Sequence, residues 1–157
     1  MNAPLPDAIP EVTSELRRAQ DSDLPAIKTL LEACALPTAD LTPALIGRFC
    51  LAEQAGQIVG VVGLENLDGH GLIRSLAVVP AQRGLGLAAR LIDWCAQEGR
   101  QSGIDALYLL TTTAADYFRA RGYVDTPRTD VPPAVAAHPQ FTGLCPCSAT
   151  CLSLRLD

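Results

Sequence analysis

The sequence has no surplus of positive charge. Its 12 lysines and arginines face 17 aspartates and glutamates, giving a net charge of −5 and a pI near 4.9. A nucleic-acid partner held through its phosphates is therefore not expected. A small anionic ligand remains compatible with this balance, because backbone amides bind anions without net positive charge. Long apolar runs are also missing, and nothing approaches the roughly 18 residues of a membrane span. The opening MNAPLPDAIPEVTSE lacks both a basic start and an apolar run, so neither a signal peptide nor a membrane anchor is expected there, and the expected location is cytoplasmic. Charge is sparse at 18%, but hydrophobic residues reach 48%, which excludes global disorder. A length of 157 residues suits one domain with a core that needs no staples. The expected organisation is a flexible, proline-rich leader over residues 1–14 and a single domain over 15–157.

The apolar pattern alternates between strand and helix periods. Glu15–Ala19 reads as a short strand, and Asp21 or Ser22 as the cap of a helix through Cys34. Thr42-Pro43 starts a second helix ending near Arg48. Phe49–Gln54 and Gln57–Glu65 form a hairpin about Ala55-Gly56, and Gly71–Val79 is a third apolar strand closed by Pro80. A helix follows from Gly86 to Gln97, with Leu87, Ala88, Leu91, Ile92 and Cys95 on one stripe. Asp105–Leu110 is a strand, Thr113–Ala120 a short helix, and Val124–Arg128 a further strand. Asp130–Gln140, with three prolines, reads as a loop, and Ser148–Leu154 as a final strand. The expectation is an α/β (α+β) domain with a mixed, mostly antiparallel central sheet flanked by helices.

The segment from Ser75 to Arg90 carries the chemistry. An apolar strand stops at Pro80, and a turn with Gly84 and Gly86 opens an amphipathic helix. Such a turn aims successive N–H groups at one point, where the helix dipole adds partial positive charge. The glycines let a ligand approach the backbone closely. The pattern is that of a phosphate or pyrophosphate cradle. It is neither a Walker loop, since no Gly-Lys-Ser/Thr follows, nor a Rossmann loop, since Gly-x-Gly-x-x-Gly is absent. A plain strand–turn–helix with capping glycines is the alternative reading.

The run Arg83-Gly-Leu-Gly86-Leu-Ala88, with Leu-Ala-Val-Val-Pro80 before it, resembles the signature of the GNAT N-acetyltransferase superfamily. Ala115-Asp-Tyr-Phe-Arg-Ala-Arg-Gly-Tyr123 resembles that family's second motif, a short helix ending in Gly and an aromatic. Within the superfamily, Leu72-Ile-Arg-Ser75, the strand end at Thr113 and the tail from Phe141 to Cys151 look like the arsenic-resistance N-acetyltransferases of the ArsN type. The resemblance implies a sheet splayed at an acetyl-CoA wedge, with acetyl-CoA as cosubstrate, no metal and a small-molecule amine acceptor. A homodimer is compatible with it. It further implies that the Leu76, Ala77 and Val78 backbone pairs with the pantetheine arm. One of those N–H groups then polarises the thioester carbonyl. The amides of Arg83, Gly84, Leu85, Gly86, Leu87 and Ala88 hold the pyrophosphate, and Thr112 and Thr113 border the wedge.

The acid that meets the leaving thiolate is where this sequence departs from that pattern. The family's frequent Tyr lies four residues before the motif Gly, where this chain has Phe118. Tyr117 is adjacent, but one helical step turns a side chain by about 100°. Tyr117 is the candidate acid if the helix is shifted; otherwise water serves as proton source. Glu65 is the candidate general base, at a strand end on the Val59, Val61 and Gly63 side, with Gly63 leaving room beside it. The alternative for Glu65 is a solvated turn carboxylate. Arg74 interrupts an apolar strand and needs a partner, either Glu65 or a substrate carboxylate or oxyanion. Ser75 is its neighbour, and a bulge decides which of the two faces the cleft.

Among the six cysteines, Cys34 and Cys95 read as small buried thiols. Cys145, Cys147 and Cys151 suit either a soft-ion site, such as one for trivalent arsenic, or packed thiols on a last strand. His138 reads as an exposed loop histidine. The competing functions are an N-acetyltransferase acting on a small amine and a non-catalytic CoA-binding or thiol/arsenic-binding sensor or carrier module.

Overall fold

A computed structural model describes residues 14–157; apart from Ser14, the leader expected over 1–14 lies outside them. Seven strands form one sheet in the order β1-β2-β3-β4-β5-β7-β6. The strands are β1 (Glu15–Arg18), β2 (Phe49–Gln54), β3 (Gln57–Leu67), β4 (His70–Val78), β5 (Ala106–Thr111), β6 (Val124–Asp125) and β7 (Thr150–Arg155). The helices are α1 (Leu24–Ala33), α2 (Pro43–Ile46), α3 (Leu87–Gln101), α4 (Ala115–Ala120) and α5 (Pro133–Ala136). Every strand pair is antiparallel except β4 with β5. The expected mixed, mostly antiparallel sheet with flanking helices is the fold observed.

Local chemistry explains most boundaries. Thr42 caps α2 by accepting the Leu45 N–H at 3.2 Å, with Pro43 in the first turn. The β3–β4 hairpin turns through Asp68 and Gly69, both in the left-handed region. On one face of the sheet, Val62, Leu64, Ile73, Leu107 and Leu109 pack with Leu87, Leu91 and Cys95 of α3. On the other, Phe49, Leu51, Val61 and Ala77 pack with Ile27, Leu31 and Ile46 of α1 and α2. Tyr108 and Leu110 also turn away from α3, and Val131, Val135 and Phe141 cover them.

Two bulges set which side chains face where. The first leaves Val59 as the extra residue of β3, so Val59 joins the α3 side and not the side of Val61. The second sets Ser75 and Leu76 of β4 against the single residue Val62 of β3.

The segment expected as a loop over Asp130–Gln140 contains α5 and short helical turns on either side. Pro132 and Pro133 account for this, since proline breaks a helix interior but fits its first turn.

Candidate active site

Strands β4 and β5 are paired only over His70↔Ala106, Gly71↔Leu107 and Leu72↔Tyr108. Beyond Leu72 they separate, and the β5-facing edge of β4 is left without a strand partner from Ile73 onward. Small-ligand clefts usually measure about 300–1,000 Å³; the one between these strand ends measures about 550 Å³. Ser75 and Leu76 form one wall, Thr111, Thr112 and Thr113 the opposite one, and Phe118 and Cys145 complete it. Leu76, Thr112 and Thr113 all line this cavity. Ala77 and Val78 send their side chains into the two cores, so only their backbone is available to the wedge.

At the end of β4 the chain turns through Gly84 (φ +80°) and Gly86 (φ +84°) into α3. A Cβ built on either glycine meets no heavy atom within 4 Å, so both face open space. The N–H groups of Gly84, Leu85 and Gly86 have no backbone acceptor among the described residues. Leu87 and Ala88 begin α3, where first-turn N–H groups lack intrahelical partners. These five amides fit a pyrophosphate. Arg83 does not belong with them. Its N–H donates to Pro80 O at 3.2 Å and its Nε to Val78 O at 3.0 Å. Arg83 therefore fastens the turn to the strand end, contrary to the role expected for its amide.

A second group of residues lies behind Ser75, on the α1 and α2 side of the sheet. Arg74 has no exposed side-chain surface. Its Nη1 and Nη2 donate to the two carboxylate oxygens of Asp40 at 2.5 and 2.7 Å. Nη1 also donates to Glu65 Oε2 at 3.0 Å, and Nε to Ser75 Oγ at 3.1 Å. His138 Nε2 lies 2.9 Å from the same Glu65 oxygen, and its Nδ1 accepts the Gln140 N–H at 3.0 Å. With Nδ1 accepting, the ring proton sits on Nε2 and is donated to Glu65. Asp40, Glu65 and His138 bring three metal-capable donors within 4.8 Å of one another. The cation among them is the Arg74 guanidinium.

The charges are mutually compensating. The Arg74 hydrogen bonds hold Asp40 below its usual 3.8. Burial pushes Glu65 up, but His138 and Arg74 outweigh it and keep that carboxyl below 4.5. Burial opposes the charge on Arg74, and the two carboxylates override it.

Several expectations change accordingly. Glu65 is buried and absent from the cavity wall, so it is neither a solvated turn carboxylate nor placed to touch an acceptor amine. A carboxyl held below its ordinary range is also a weak base. The space beside Gly63 is filled by Phe49, whose ring would stand 2.6 Å from an added Cβ. Arg74 reaches the cavity only through its main chain, since the side chain is covered; its guanidinium is engaged by Asp40, Glu65 and Ser75. Tyr117, the candidate acid, is 39% exposed, carries the Arg121 guanidinium over its ring, and lies off the wall that its neighbour Phe118 lines. α4 is a regular short helix with no shift to bring Tyr117 round.

His138, expected to be exposed, is buried on Glu65. The three tail cysteines do not converge among the described residues: Cys147 is exposed, Cys151 is buried on β7, and Cys145 donates to Gln140 Oε1 at 3.0 Å. Burial pushes Cys151 up to about 11 and Cys145 upward as well, which keeps both as thiols.

Asp40 was not singled out by the sequence. Its one signal was the unpaired Arg74, which demanded a carboxylate without saying which.

Residues 12–124 match the family model described as the Acetyltransferase (GNAT) family. The chain is 29% identical over 130 residues to an IAA acetyltransferase of Azospirillum brasilense, covering 78% of this chain and 81% of that one. It is 31% identical over 125 residues to an amino-acid acetyltransferase of Mycobacterium tuberculosis, covering 74% and 71%. Among solved structures, N-acetylglutamate synthase from Neisseria gonorrhoeae, complexed with coenzyme A and N-acetyl-glutamate, superposes with a TM-score of 0.82 at 24% identity. That match covers 94% of this chain but spans only 36% of the synthase chain. A Mycobacterium tuberculosis protein in complex with CoA gives a TM-score of 0.77 at 25% identity, covering 91% and 99%.

Proposed function

The chain belongs to the acetyltransferase (GNAT) family, whose cosubstrate is acetyl-CoA, and from that premise we propose that it acetylates the primary amine of a small, amino-acid-like molecule in the cytoplasm. The carrying observation is the wedge. Parallel strands part after Leu72↔Tyr108 and leave an open β4 edge, and the glycine turn beyond it offers five amides. An extended amide-bearing arm lies along such an edge as an added strand does, and its pyrophosphate meets the start of α3. The acceptor class is supported by the amino-acid acetyltransferases among the relatives.

In this reading the acceptor amine enters the 550 Å³ cavity and attacks the thioester carbonyl carbon directly. The C–N bond forms, the C–S bond breaks, the amine proton leaves to water, and water returns a proton to the thiolate. Neither Glu65 nor Tyr117 takes part in these transfers. An arsenic-bearing amino acid is the finer candidate suggested by the tail. It would be recognised as an acceptor, since the tail thiols form no common site.

The test is an acetyl-transfer assay, with free thiol release as readout, against proteinogenic amino acids, arsenic- and phosphorus-bearing amino acids, and arylalkylamines. Turnover is expected with amino-acid-like acceptors. Thiol release only with acceptors lacking a carboxylate would overturn the acceptor class. Saturable acetyl-CoA binding with no acceptor-dependent release across the panel would favour a binding module.

A further inference from the structure

Ser75 adopts φ +58° in the middle of a strand. Among the described residues, the other non-glycine positions with positive φ, Ala35, Ala55 and Asp68, lie in turns. A left-handed backbone is strained for an L-residue, a strain that glycine avoids. The bulge that imposes this conformation also sets Ser75 on the cavity wall, immediately before the Leu76 backbone that borders the open edge of β4.

The hydroxyl is polarised from behind. Arg74 Nε–H donates to Ser75 Oγ at 3.1 Å, so the hydroxyl hydrogen points away from the guanidinium. The guanidinium itself is fixed by two bonds to Asp40 and one to Glu65. An oxygen that accepts a charge-assisted hydrogen bond becomes a stronger donor through its own hydrogen. Ser75 carries the side-chain hydroxyl on the β4 side of the cavity, next to the Leu76 backbone. Phe118 on the wall has no donor and Tyr117 lies off it; the hydroxyls of Thr111, Thr112 and Thr113 stand on the opposite wall, whereas Ser75 belongs to β4 itself.

Resting on the acetyl-transfer reading above, we propose that Ser75 is a catalytic hydrogen-bond donor that stabilises the oxyanion formed on the thioester carbonyl oxygen. As the amine nitrogen bonds to the carbonyl carbon, the C=O π pair moves onto oxygen, and the Ser75 hydroxyl hydrogen bonds to that charge. When the pair returns, the C–S bond breaks and the thiolate leaves. Ser75 keeps its proton throughout, so no further reactant is needed. Arg74, Asp40 and Glu65 are positioning residues that act through Ser75.

Strain and catalysis make opposite predictions for one substitution. Ser75→Gly removes both the left-handed strain and the hydroxyl. The expected result is a higher melting temperature together with a kcat lower by about 10²–10³-fold, the usual loss for one oxyanion donor. The KM for acetyl-CoA and the thermal shift that acetyl-CoA produces should stay near wild type. Ser75→Ala should match Ser75→Gly in kcat while being less stable, and it carries the kinetic comparison if the glycine variant fails to fold. A Ser75→Gly enzyme with wild-type kcat overturns the proposal. So does a loss confined to KM, which would make Ser75 a ground-state binding group. A wild-type protein that transfers acetyl to no amine overturns the functional reading instead.

Discussion

The glycine turn at Gly84–Ala88 and the charged knot around Arg74 lie at the two ends of one open strand edge, and they are built in opposite ways. The turn is made of backbone. Its donors are consecutive amides, its geometry comes from two positive-φ glycines, and an added side chain would meet only empty space. The knot is made of side chains from four separated stretches, Asp40, Glu65, Arg74 and His138, and it is almost closed to solvent. A ligand at the turn would therefore bind and leave at little cost to the fold. The knot is expensive to open, because removing any member leaves another charge unpaired. Ser75 borders the knot, accepting from Arg74 Nε, and also lines the cavity.

The largest expected effect is on the knot. Arg74→Met strands two carboxylates, and breaking a buried pair from one side costs about 3–5 kcal/mol. Urea unfolding of this variant should show that loss. Adding Asp40→Leu and Glu65→Leu should recover much of it, because an apolar replacement of a buried ion cluster is often near neutral. An Arg74→Met protein as stable as wild type would erase the contrast.

Next is the turn. Acetyl-CoA at a hundredfold excess over Kd should stabilise the wild type by about 2.7 kcal/mol. Gly86→Val should abolish most of that increment, since the new side chain fills the space where the phosphates sit. Its stability without ligand should fall by only about 1–2 kcal/mol, from the left-handed φ. Melting curves with and without acetyl-CoA separate the two terms. An unchanged ligand increment in Gly86→Val would show that the turn is not the cradle.

The pH response should belong to the knot. Asp40 and Glu65 are both held below their ordinary values of 3.8 and 4.5. Their contribution is complete above the unfolded values and is lost as pH falls through the lower folded ones. Stability should therefore drop below about pH 4.5. The drop should be shallower in the Asp40→Leu, Glu65→Leu, Arg74→Met triple variant, as read from unfolding free energies across pH 3–6.

The smallest effect is expected from a residue that belongs to neither region. Tyr117→Phe should change stability by less than about 0.5 kcal/mol, as surface substitutions do, and leave kcat where it was. A tenfold fall in kcat would return Tyr117 to the role of acid.

Both regions began as readings of the sequence, and they fared differently for a physical reason. The turn is local. Pro80, Gly84, Gly86 and the apolar stripe of α3 lie within one short segment, and steric rules for proline and glycine act over such distances. Its donors were therefore legible except at Arg83, whose N–H and side chain turn back to Pro80 and Val78. The same local rules foretold β2 at Phe49–Gln54 and the Thr42 cap of α2. They misjudged Asp130–Gln140, where the prolines open short helical turns and α5 packs Val135 against β5 and β7.

The sequence by itself determined the order of the elements, the glycine turn that opens α3 and the need of Arg74 for an anion, because each follows from chain sterics or from the cost of burying a lone charge. Tertiary structure decided which anions answer it. Asp40 lies 34 positions before Arg74, and His138 lies 73 positions after Glu65. It also decided that Ser75 looks into the wedge, because the one-residue bulge opposite Val62 depends on how β3 and β4 are paired. Strand pairing and the folding back of the tail juxtapose groups without regard to their spacing along the chain. No local pattern of residues encodes that juxtaposition.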